Sequence, residues 1–157
     1  MAATLAPIPR GAPVVESKVW TITQDWFIWL FSAIKRLETA AQRVKAVARS
    51  ALSATIATTT LYTTLEAGIY RVSYAFRVTT PATTSSSLTL TIGWVDGGVT
   101  LSQAGAALTG NLTTSQQNGT FLMRCDTASL ITYAMLYASV GGTAMVYKLD
   151  LTVELVS

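Results

Sequence analysis

Few residues in this chain are equipped for chemistry, and their spacing decides what they can do. Ser32 and Lys35 stand three apart, the SxxK pattern in which a lysine can serve as base to a nucleophilic serine. No SDN or KTG partner accompanies them, and a tetrapeptide match is cheap. There is no histidine anywhere, which removes the usual general base and the commonest zinc ligand and excludes any Ser/His/Asp or Cys/His relay. Asp96, Asp126 and Asp150 could in principle form an acid/base pair, but no spacing brings two of them together. Cys125 is the single cysteine, so the chain has neither an internal disulfide nor a CxxC metal pair.

The remaining candidates bind rather than react. Gly93, Gly97 and Gly98 surround Asp96, but no GK[ST] follows, so they read as turn glycines and not as a phosphate loop. Asn111-Leu112-Thr113 and Asn118-Gly119-Thr120 are glycosylation sequons, meaningful only in a secretory pathway for which the N-terminus offers no leader. Trp94, Tyr133 and Tyr137 could stack on sugar rings or simply fill a core. The expectation is a protein without enzymatic activity, cofactor or metal.

The elements that must position these residues fall into three parts. Residues 1–20 contain Pro7, Pro9, Gly11 and Pro13, which deny the backbone both helix and central strand and predict an extended arm. Val14, Val15 and Trp20 are too apolar for a solvated tail, and Arg10 can meet an acidic groove, so these four are the candidate anchoring residues. From 21 to 54 a helix is expected. Thr21 with Gln24 fits a capping box, Asp25 suits the first turn, and no Gly or Pro intervenes before Gly68. Phe27, Leu30, Ile34, Leu37, Ala41 and Val44 alternate spacings of three and four, a heptad seam that Ala48 and Ala51 prolong with weaker side chains. Ala33, Ala40 and Val47 widen the stripe, which points to a trimeric bundle or to packing on another surface. The run WFIWLFSAI is far short of the about 20 apolar residues of a membrane span, so no membrane insertion is expected.

Residues 55–157 change period from helical to two. Tyr70 to Val78, Leu88 to Trp94 and Met145 to Leu155 alternate apolar with polar, and four further segments bring the count to seven or eight strands. Asp96-Gly97-Gly98, Asn118-Gly119 and Gly141-Gly142 read as turns. The fold class is thus mainly β with one long N-terminal α-helix: an antiparallel, jelly-roll-like β-sandwich behind an extended arm. The strand from Leu130 to Ser139 is apolar on both faces, which calls for cover by another subunit or by the helix.

Charge follows the same division. Residues 1–53 hold seven basic and three acidic residues, net +4, whereas the rest holds four and five, net −1. The basic residues are spread along a helix as a solvated face, so no nucleic-acid partner is expected. Only 12% of the chain is charged, against roughly a quarter in ordinary domains. A surface so poor in charge points to contact between copies.

The stretch PIPRGAPVVESKVWTITQDWFIWLFSAIKRL resembles the N-terminal segment of tailed-bacteriophage fibre and appendage proteins, in which a Pro-rich arm leads through a tryptophan cluster into a helix. GIYRVSYAFRVTTPATTSSSLTLTIGWVDGGVT and ITYAMLYASVGGTAMVYKLDLTVEL resemble a small β domain of phage and prophage structural proteins. The resemblance implies a virion location and a homotrimer, with the arm fastened to other virion proteins of capsid, collar or tail. Carbohydrate or receptor binding at the host cell surface, with a surface glycan as partner, is the alternative function.

Overall fold

Alternation of buried and exposed residues runs through most of the β region and dictates a double-layered sheet structure. The computed structural model describes residues 24–38 and 42–156, with helical side chains through Ile34. The chain divides into two units, 1–40 and 41–157. In the first unit one helix, α1 (Gln24–Glu38), carries Asp25 in its first turn, where the positive end of the helix dipole favours it.

The second unit contains eight strands: β1 (Gln42–Leu52), β2 (Ile56–Thr63), β3 (Gly68–Thr80), β4 (Ser85–Asp96), β5 (Val99–Ala104), β6 (Gln116–Cys125), β7 (Leu130–Val140) and β8 (Val146–Leu155). They form two four-stranded antiparallel sheets, ordered β1-β8-β3-β6 and β2-β7-β4-β5. This is the strand order of a jelly roll. Tyr70, Val72, Phe76 and Val78 of β3, with Tyr147, Leu149, Leu151 and Val153 of β8, face Leu88, Leu90 and Ile92 of β4 and Ile131, Tyr133 and Met135 of β7 across the core. Each such side chain contributes about 1.5–3 kcal/mol by leaving water.

The expected helix over 21–54 is corrected by the structure. It ends at Glu38, and 42–52 forms edge strand β1 on β8, so the division falls after residue 40 rather than near 54. The reason lies in the weakness of the helical signal there. Its heptad positions are mostly alanine, which buries little, whereas Val44, Val47 and Leu52 gain contact with the sandwich core by pairing along the open edge of β8. Arg49 closes this edge with its guanidinium 5.7 Å from the centroid of the Tyr133 ring.

Of the expected turns, Asp96-Gly97-Gly98 joins β4 to β5, with both glycines at positive φ (59° and 74°), and Gly141 at φ 116° follows β7. Asn118-Gly119 is no turn but the middle of β6, where Gly119 lies against Tyr74. The two-faced strand is β7: its Ile131, Tyr133 and Met135 are buried, while Leu130 and Leu136 of the other face are exposed in the single chain.

Candidate interaction surfaces

Among the described residues, the groups that could have formed a reaction centre are committed elsewhere. Ser32 donates its hydroxyl to the Ile28 carbonyl at 2.7 Å within α1, a bond that satisfies it locally, and the Lys35 side chain lies outside the described residues. Asp126 accepts from the Gly97 and Gly98 amides at 3.0 and 2.8 Å, and these bonds hold its carboxyl below the usual range. Such a group clamps the β4–β5 turn and is the reverse of a proton-holding general acid. Asp96 stands 4.0 Å from Arg124, and Asp150 accepts from Lys148 at 3.2 Å. Burial, with Asp96 and Asp126 nearby, pushes the Cys125 thiol up to about 11, which leaves it protonated and inert. Among the described residues no three of Cys, Asp and Glu are grouped so as to hold a metal ion, and no helix is long and apolar enough to cross a membrane.

The binding candidates sort differently. Tyr133 is fully buried, and Trp94 and Tyr137 are half-buried against the core. Tyr137 also donates to the Met145 carbonyl at 2.9 Å, so none of the three forms an open platform for a sugar. Asn111 is tied into the structure through both ends of its amide: its oxygen accepts from the Ala82 amide at 2.8 Å and the Ser86 hydroxyl at 2.9 Å, and its nitrogen donates to the Ala82 carbonyl. Shallow depressions lie on the sandwich among the described residues. One of about 160 Å³ is rimmed by Arg77, Gln116, Asn118 and Lys148, and one of about 280 Å³ by Thr58, Thr91, Thr100, Ser102 and Thr132. Both are below the about 300 Å³ at which small-molecule pockets begin.

What remains is apolar surface. On α1, Phe27, Leu30 and Ile34 of the expected seam are 58%, 41% and 43% exposed, and Ile28 and Phe31 are comparably open. Leu37 is in the helix, but its side chain and Ala41 lie outside the described residues, as do Arg10, Val14, Val15 and Trp20. Val44 is no seam residue, since it sits in β1 against the core. On the sandwich, Val99 and Leu101 of β5 are exposed, a feature that a reading by alternation misses because these residues occupy inward positions. The signal was present in the segment's lack of any charge.

No protein-family model matches the chain, and no curated protein is similar to it. Among solved structures it is similar to the PRD1 vertex protein P5, with a TM-score of 0.44 and 11% identity over 75% of this chain and 99% of that one. It is also similar to the Clostridium thermocellum xylanase 10B CBM22-1–GH10 modules complexed with xylohexaose (TM-score 0.43, 14% identity, 76% of this chain and 25% of that one). A chain of infectious bursal disease virus, Gt strain, is a third (TM-score 0.37, 16% identity, 96% and 38%).

Proposed function

We propose that this chain is a non-enzymatic structural component of a tailed-phage virion: a short homotrimeric fibre, appendage or decoration protein. Its N-terminal segment fastens it to other virion proteins, and its jelly roll is the part presented. The observation that carries this reading is the row of large apolar side chains on α1. Phe27, Ile28, Leu30, Phe31 and Ile34 crowd a 15-residue helix, and all are exposed in the single chain. So much open apolar surface is covered in a working protein, and Phe27, Leu30 and Ile34 have the spacing by which copies of a helix bury one another. The motif around Pro7 to Leu37, which resembles phage appendage anchors, supplies the setting. Scarcity of charge and the committed state of Ser32, Asp96, Cys125, Asp126 and Asp150 agree with a part that assembles rather than reacts. The glycan-binding alternative loses support because Trp94, Tyr133 and Tyr137 pack on or within the core.

Mass in solution tests the assembly. The full chain at micromolar concentration is expected to associate in multiples of three, and Leu30→Asp or Ile34→Asp to shift it to smaller species, because each would bury an unpaired charge in the seam. A wild-type monomer at that concentration overturns the proposal.

A further inference from the structure

A jelly roll made of two open sheets has four edges, and each edge strand offers unpaired backbone groups to any other strand that approaches. Here the edges are β1, β6, β2 and β5. Three are defended. β1 carries Arg43, Lys45 and Arg49 and two register shifts against β8. β2 has two register shifts within eight residues, and such irregularities twist an edge away from a new partner. β6 carries exposed Arg124 and has Gly119 at its centre.

β5 has none of these devices. Its six residues, Val-Thr-Leu-Ser-Gln-Ala, contain no charge, proline or glycine, and their register with β4 is unbroken from Asp96↔Val99 to Thr91↔Ala104. All six are exposed. Leu101 is paired with Trp94, and Gln103 with Ile92, so Val99, Leu101 and Gln103 share the inward face of their sheet. Ile92 is fully buried there, yet Val99 is 57% and Leu101 38% exposed. β5 therefore overhangs the cover of the opposite sheet, leaving both an open backbone edge and uncovered aliphatic side chains.

We propose that β5 is the seam at which two copies of this chain pair edge to edge, antiparallel about Leu101, to make one continuous eight-stranded sheet. The sequence of β5 suits itself in this role. A two-fold axis normal to the sheet keeps inward residues opposite inward residues, so Leu101 meets the partner's Leu101, Val99 meets Gln103, and Thr100 meets Ser102. The aliphatic groups of both copies gather on the uncovered side, the hydroxyls pair on the other, and no like charges face each other. The seam does not depend on α1 or on the trimer proposed above.

Cross-linking of the full chain distinguishes this register from other contacts. A residue on the two-fold has its counterpart within disulfide reach, whereas its sequence neighbour does not. Leu101→Cys is expected to give a covalent dimer on a denaturing gel at least about tenfold faster than Ser102→Cys, and buried Cys125 does not compete. Adding Leu30→Asp to Leu101→Cys should leave that dimer intact, which separates this seam from the helical one. Leu101→Lys, in the otherwise unaltered chain, should reduce association between sandwiches by placing two ammonium groups on the axis. Equal cross-linking at 101 and 102, or none at 101 while the variant remains folded by circular dichroism, overturns the proposal.

Discussion

At the residue scale, the least obvious feature is Gly119. Its dipeptide with Asn118 has the composition of a hairpin turn, but its role is to make room: a Cβ built there would stand 2.7 Å from the Tyr74 hydroxyl and 2.9 Å from its ring. Tyr74 cannot step aside cheaply, since its ring stacks on Phe76 and Phe121 at 5.8 and 5.3 Å between centroids. Gly119→Ala should therefore lower stability by about 1–3 kcal/mol in urea unfolding, the usual cost of overpacking, while Gly142→Ala, with nothing within 4 Å, should be near neutral. Composition cannot reveal such a site, because a turn and a close approach both select glycine. The sugar-stacking reading of Trp94, Tyr133 and Tyr137 failed to find an open platform for a similar reason. Aromatic type is visible in a sequence, whereas exposure depends on which sheet lies opposite. The absence of histidine was fully legible, and it disposed of most catalytic schemes before any geometry was known.

At the element scale, strands were legible wherever one face is buried and the other wet, as in β3, β4 and β8, because a period of two then runs without interruption. β1 was not. It is an edge strand with only Val44, Val47 and Leu52 partly buried, and its register shifts break the alternation, so Ala, Lys and Arg dominate the local signal and mimic a helix. Ala51 offers a test of sign. It adopts φ 55°, a left-handed conformation that costs a Cβ-bearing residue about 1–2 kcal/mol. Ala51→Gly should thus stabilise the protein by roughly 0.5–1 kcal/mol in equilibrium unfolding. Were 42–52 a continuation of the helix, the same change would destabilise by about 1 kcal/mol. The β5 edge had a sequence signal too, its lack of charge, but the meaning of that signal depends on β5 lying at the margin of its sheet.

At the scale of the whole molecule, among the described residues every strand and the buried hydrophobic cluster fall within 41–157. A chain starting at residue 41 should accordingly fold with a cooperative thermal transition close to that of the full protein, checked by calorimetry, while losing the association that depends on α1. The strand order also sets where the ends lie. Gln42 opens β1 directly opposite Leu155, near the end of β8, so the chain enters and leaves the sandwich at one pole. Connections 81–84 and 141–145, tied to each other by Thr83 and Thr143, occupy the other pole. This arrangement makes the domain's resistance to force directional. Tension between residues 42 and 155 would part β1 from β8 like a zipper, loading one hydrogen bond at a time. Tension between residue 42 and the opposite pole would draw β1 along its own length and load many of those bonds together. Held at its entry and tugged at its far loops, the sandwich bears strain along its stiff direction.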